Sequence, residues 1–272
     1  MKRFLVILFV GLLAYGCGAT YKQKHVYSTV AATTNIKRGN VEFAVFGDTR
    51  PPWNPIHKKI LEQMQDYDID FSVNTGDFTD WSSEHEYNEY LKIIKKSPIP
   101  IFTIIGNHDD RFWGKRHYER KIGRLAGTMD LDDIALVFMY VNKGFSKLTL
   151  MRLEKTFKKS AGKDIFVFNH IPIRKPFENH MKDGLFKIDE NLSNADRFMR
   201  LLEKYKIRGV FFGHEHLYAY SNINGIKYII TGGGGAKLHG DGEVMPIFGS
   251  FHHFVLLRKY QGEYNVEVVR LK

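Results

Sequence analysis

Arg208-Gly209-Val210-Phe211-Phe212-Gly213-His214-Glu215-His216 is the stretch from which this chain is best read. Its first half is β-branched and aromatic, the composition of a buried strand, and its second half breaks off on Gly-His-x-His. Two histidines with one residue between them can both reach one point only where the chain leaves the regular pleat. The run therefore reads as a strand that delivers two imidazoles to a metal, although alone it fits a solvated loop equally well. Four other apolar runs end in the same way. Residues 41–46 lead into Gly47-Asp48-Thr49-Arg50, and residues 69–75 into Gly76-Asp77-Phe78-Thr79-Asp80. Residues 100–105 lead into Gly106-Asn107-His108-Asp109, and residues 164–168 into Asn169-His170. Each run stops on Asp, Asn or His, usually just after a glycine that lets the chain turn. In α/β proteins ligands gather at strand ends, and oxygen and imidazole donors from five of them make up a hydrolytic two-metal centre.

At these residues the chain resembles a calcineurin-like metallophosphoesterase, whose signature runs D-x-H, G-D-x-x-D, G-N-H-D/E, a lone His and G-H-x-H. Gly76 to Asp80, Gly106 to Asp109, His170 and Gly213 to His216 match as they stand, whereas Asp48-Thr49-Arg50 has Arg in place of His. The resemblance implies an α/β fold, a two-sheet β-sandwich flanked by helices in four α/β/β/α layers. It implies two divalent metal ions (Mn, Fe or Zn) with Asp77 as the carboxylate between them. Asn107, His170 and His214 complete the second site, and Asp48 and His216 hold the first. It further implies hydrolysis of a phosphate mono- or diester by metal-activated hydroxide. His108 serves the leaving group or phosphate oxygens, oriented by Asp80, and Asn107 touches substrate as well as metal. Arg50 has no lone pair to give a metal. Its planar fork suits a phosphate, so Arg50 is expected to bind substrate, with a structural salt bridge as the other reading. The competing function is a non-catalytic envelope protein on the same fold, impaired at its first metal site. Blander readings stand beside these: Asp48, Asp77 and Asp80 as turn residues, Asn107 as a cap, His170 as a core histidine. His57, His85 and His117 are read as solvated.

The N-terminus begins Met1-Lys2-Arg3, continues through a short apolar run and reaches Gly16-Cys17-Gly18. A basic start, a hydrophobic segment shorter than a bilayer span and small residues predict a signal peptide over 1–16. Ala14-Tyr15-Gly16-Cys17 resembles a lipobox, so Cys17 is expected to be lipidated, with 17–40 a polar tether and the exported protein held at a membrane of the cell envelope. Cys17 is the only cysteine, which rules out a disulfide or a Cys nucleophile in this chain.

Residues 41–272 suit one domain. Helical spacing appears over 55–66, 84–96, 147–159 and 195–205, and hairpins are predicted around Asn224-Gly225 and Gln261-Gly262. Gly232 to Gly235 reads as a tight connection or a phosphate cradle. The formal charge of +10 favours anionic partners. The basic residues are scattered, so the expected partner is a phosphate-ester substrate rather than nucleic acid, and the oligomeric state is open.

Overall fold

The structure, a computed structural model, describes residues 41–131, 133–188, 192–240 and 242–272. The signal peptide, Cys17 and the tether lie outside the described residues. Two sheets form the body. One has the order β13-β12-β1-β2-β3, built from β1 (Phe43–Phe46), β2 (Phe71–Asn74), β3 (Ile101–Thr103), β12 (His253–Tyr260) and β13 (Glu263–Arg270). The other has the order β10-β11-β8-β9-β7-β6-β5-β4. Its centre is β5 (Ile134–Phe138), β6 (Asp164–Phe168), β7 (Ile207–Phe212) and β9 (Ile226–Thr231), all parallel, with β4 (Gly127–Leu131) and β8 (Tyr218–Ile223) antiparallel beside them. Short β10 (Glu243–Val244) and β11 (Phe248–Gly249) finish that edge.

Strand alternation explains why there are four layers. Phe43 and Val45 of β1 point into the space between the sheets, while Ala44 and Phe46 point the other way. On β6, Phe166 and Phe168 face the same inter-sheet space and Ile165 and Val167 face outward. A strand apolar on both faces must be covered on both. The middle layer is aromatic: Phe43 stacks on Phe71 at 5.0 Å and meets Phe166 edge-on, and Phe168 stacks on Phe211 at 5.1 Å. Helices α1 (Pro55–Gln63), α2 (Glu84–Ile94) and α3 (Gly114–Lys121) cover the outer face of the smaller sheet through Ile60, Leu61, Tyr87, Tyr90 and Tyr118. Helices α4 (Lys147–Lys159) and α6 (Ala195–Leu202) cover the larger one through Leu153, Phe157, Phe198 and Leu202, with the short α5 (Glu178–Lys182) nearby. The expected α/β/β/α sandwich is the observed fold.

The helix starts follow local chemistry. Ser83 caps α2 in a reciprocal capping box with Glu86, and Asn54 caps α1 ahead of Pro55. Asn224 and Gly225 both have positive φ, 54° and 81°, as a tight hairpin turn requires. Among the described elements, α3, α5, β4, β10 and β11 went unread in the sequence. The mean composition of α3, Gly-Lys-Arg-His-Tyr-Glu-Arg-Lys, is strongly polar with Tyr118 as its buried anchor, which leaves almost no apolar period to detect.

Candidate metal centre

The five strand ends meet at one edge of the sandwich, three from the smaller sheet and two from the larger. β1 presents Asp48, β2 Asp77, β3 Asn107 and His108, β6 His170, and β7 His214 and His216. Asp48, Asp77 and His214 have left-handed backbones, with φ of 59°, 54° and 71°. The strain therefore sits mainly on the functional residues themselves, a cost of roughly 1–3 kcal/mol each that only a held structure tolerates. The preceding glycines mostly serve closeness rather than turning. A Cβ on Gly106 would lie 2.2 Å from Asp77 Oδ1, and one on Gly213 2.5 Å from Asp48 Oδ2. The run from Gly232 is likewise a tight connection: Gly234 N–H donates to Gly47 O, and a Cβ there would meet that oxygen at 2.1 Å.

Asp109 holds the loops in place. Its buried carboxylate accepts from the backbone N–H groups of Gly106, Asp77, Phe78 and Thr79 and from the Thr79 hydroxyl, at 2.7–3.0 Å. Burial and the Asp77 charge push its carboxyl up to about 7, and these donors oppose a further rise. The sheets are joined by Asp48, which accepts the His214 N–H on both oxygens at 3.0 Å, while within the larger sheet Gly213 N–H donates to His170 O.

One donor set is preformed. His170 places Nδ1 2.8 Å from Thr75 O, which orients Nε2 inward. Nε2 then lies 2.9 Å from Asn107 Oδ1 and 3.3 Å from Asp77 Oδ1, while His214 Nδ1 lies 3.0 Å from the same Asn107 oxygen. Adjacent ligands around an ion bound at about 2.0–2.2 Å stand about 3 Å apart, so Asp77, Asn107, His170 and His214 fit a divalent cation. Asp48, Asp77 and His170 also bring ligand atoms within 4.8 Å of one another. Burial would depress His170, but the Asp77 carboxylate beside it prevails and raises the imidazole to about 9. Burial would raise Asp77, and His170, His108 and Arg50 together draw it well below the usual carboxylate range. Burial leaves Asp48 well above that range despite the pull of His170.

The other donor set is arranged differently. His216 Nδ1 lies 2.7 Å from Lys237 O, leaving Nε2 inward, and burial and His239 hold the ring neutral, with its pKa lowered to about 3. That Nε2 lies 3.6 Å from Asp48 Oδ1 but 3.3 Å from Arg50 Nη2. Arg50 Nε is 3.5 Å from Asp77 Oδ2, and Nη1 is 3.1 Å from both Asp80 Oδ1 and His108 Nδ1. The guanidinium thus engages His216 and Asp77, two of the donors expected around the first ion, and with Arg50 in this position that set does not fit a divalent ion as it stands.

His108 also departs from expectation. Its Nδ1 lies 3.0 Å from the backbone oxygen of Asp80, whose carboxylate turns to Arg50 instead. The orienting group is thus a carbonyl rather than the expected carboxylate. Arg111 Nη2 approaches His108 Nε2 at 3.1 Å and Nη1 donates to Asp80 O. Burial lowers the His108 pKa, and the two guanidinium groups add to that against the pull of Asp77. Arg111 had no site role in the sequence because it follows the third motif, Gly106 to Asp109, instead of belonging to it. His239 stacks on His216 at 4.1 Å and borders a cavity of about 420 Å³ with Arg50, Asp77, His108 and Lys187. His57 is corrected outright: it is fully buried between Phe46 and Tyr90, and burial lowers its pKa to about 4.

Comparison with known proteins gives a consistent result. The family model described as calcineurin-like phosphoesterase matches residues 41–218. A probable glycerophosphodiester phosphodiesterase GpdQ of Arcobacter nitrofigilis is 28% identical over 159 residues, covering 54% of this chain and 56% of that relative. A probable cyclic nucleotide phosphodiesterase of Coxiella burnetii is 27% identical over 154 residues, covering 52% and 58%. The matches thus span little more than half the length of these curated relatives. Among solved structures, purple acid phosphatase PPD1 from yellow lupin (Lupinus luteus) seeds superposes with a TM-score of 0.68 at 15% identity over 86% of this chain and 52% of that one. GAP50, the anchor in the inner membrane complex of Plasmodium, gives 0.61 at 13% identity over 86% and 89%.

Asp109→Ala strands several buried donors at once and is expected to destabilise the fold by about 3–5 kcal/mol, a drop of roughly 10 °C in melting temperature. A thermal melt showing less than about 1 kcal/mol would remove Asp109 from this role. The raised His170 pKa also sets a pH dependence. In the metal-free protein the charged His170–Asp77 pair stabilises the fold fully below pH 6.5 and loses that contribution as pH rises through about 9. A metal must displace that proton, so apparent affinity should rise up to tenfold per pH unit until about pH 9. Calorimetry in buffers of different ionisation enthalpy should record proton release near pH 7, and release of none would contradict the assignment.

Proposed function

We propose, from the premise that this chain belongs to the calcineurin-like phosphoesterase family, that it is a metal-dependent hydrolase of phosphate esters with a preference for diesters. The observation that carries the reading is the convergence of Asp77 Oδ1, Asn107 Oδ1, His170 Nε2 and His214 Nδ1 at 2.9–3.3 Å. The names of the sequence relatives, both phosphodiesterases, support the choice of diesters. A divalent ion held by this set, Mn, Fe or Zn by its mixed donors, would supply a water of lowered pKa and a Lewis acid for a phosphoryl oxygen.

The chain's own residues account for the rest. Asp77 is fixed by the His108 N–H, which donates to Oδ1 at 2.8 Å. Arg50 and Arg111 flank His108 and offer planar N–H forks to a phosphate entering the cavity. His108 is neutral at rest. An anionic phosphate beside it raises its pKa, so substrate itself loads the proton that His108 passes to the leaving oxygen. Asn107, whose Oδ1 lies between His170 and His214, would offer that oxygen to the ion and its amide N–H groups to substrate.

The second reading, a non-catalytic envelope protein, is favoured by the Arg50 contacts to His216 and Asp77. The two readings are separated by turnover of aryl phosphate di- and monoesters after metal stripping and Mn resupply. Metal-dependent hydrolysis, faster on the diester, is expected, with His108→Ala lowering kcat about 10²–10⁴-fold. A preference for the monoester would reverse the substrate class, and no turnover by Mn-loaded protein would favour the non-catalytic reading.

Export and lipidation at Cys17 complete the proposal. The sequence pattern at 1–17 supports it, and no helix among the described residues is long and apolar enough to cross a membrane. Cys17→Ser should move the protein from the membrane to the soluble fraction in its host. Retention in the membrane fraction would exclude the lipid anchor.

A further inference from the structure

We infer that Arg50 is a built-in cation standing where a second metal ion would otherwise sit, so that the chain holds one divalent ion and one guanidinium. This rests on the phosphoesterase reading and refines its centre, replacing the expected pair of ions.

An ion on that side of the site would draw on Asp77 Oδ2, His216 Nε2 and Asp48. The Arg50 guanidinium lies 3.5 Å from the first and 3.3 Å from the second. His216 has no alternative: its Nδ1 is engaged by Lys237 O at 2.7 Å, so the Nε2 lone pair is its one inward donor, and Arg50 Nη2 is pointed at it. Arg50 is also anchored. Nη1 donates to Asp80 Oδ1 at 3.1 Å, its backbone N–H donates to Asp77 O, and its own carbonyl accepts from the Asn54 amide. A guanidinium cannot shed its proton to make way for a metal. A divalent ion placed among the same donors would meet a fixed positive charge a few ångströms away.

The guanidinium also brings a fixed positive charge to within 3.5 Å of Asp77 and 3.1 Å of Asp80. The substitution also keeps a cation facing the cavity that Arg50 lines. There the guanidinium binds a phosphoryl oxygen through N–H donors, where an ion would have bound it directly. Directionality is the difference: a fork accepts a phosphate in a restricted orientation, whereas an ion accepts oxygen from any open side.

The test counts metal. Purified full chain is stripped, dialysed against Mn and assayed by elemental analysis and by electron paramagnetic resonance, beside Arg50→His and Arg50→Lys. The expected result is one Mn per chain in the wild type and in Arg50→Lys, with the signal of an isolated ion. Arg50→His, which restores an imidazole donor and removes the charge, is expected to bind two, with the signal of an exchange-coupled pair. Two ions in the wild type would overturn the inference and leave the phosphoesterase reading standing. One ion in folded Arg50→His would overturn it too, because something other than the guanidinium would then exclude the second. If Arg50→His does not fold, the wild-type count decides by itself. No Mn in any variant would overturn the inference together with the metal-dependent reading beneath it.

Discussion

A carboxylate that has left water must be given other partners, and the whole centre depends on how this is done for Asp109. Its oxygens collect N–H groups from the ends of β2 and β3 together with the Thr79 hydroxyl. Two loops that would each be irregular alone become one rigid piece. Asp77 can then hold a strained left-handed backbone, and Asn107 and His108 follow at a fixed distance from it. The Asp48–His214 bonds do the same between the sheets. Ligands from different sheets can be preformed at about 3 Å only because these bonds remove the freedom that a metal would otherwise have to freeze out.

The electrostatics follow from the same burial. Asp48 and Asp77 are both fully inside, close enough to affect each other, and their responses are opposite. Asp77 is ionised despite its burial because the charged His170 lies beside it and Arg50 adds to the pull, while burial pushes Asp48 toward its neutral form. One side of the centre is therefore already an anion waiting for a cation, and the other is already served by Arg50. The asymmetry is written in side chains before any ion arrives.

Much of this was legible in the sequence, for a physical reason. Apolar strand followed by glycine and a polar ligand is a pattern set by burial and close approach, both of which act within a few residues. Asp48, Asp77, Asn107, His170, His214 and His216 all end up at one edge as read. What the sequence hid depends on partners far away along the chain. Asp109 was quoted in a motif without a task, because all its donors except the Gly106 N–H lie 30 or more residues upstream. Arg111 and His239 reach the site from loops whose course no local pattern fixes. His57 looks like a surface residue of a helix until Phe46 and Tyr90 close over it. Asp80 kept its place and changed its partner, because an arginine stands nearby where the family signature has a histidine.

The link between Asp48 and His214 joins residues 166 positions apart. During synthesis, β1 to β3 can form while the other half of the centre does not yet exist. The donor set drawn from both halves is therefore complete only after β6 and β7 have docked, so an ion bound there would report completed folding rather than guide its first steps.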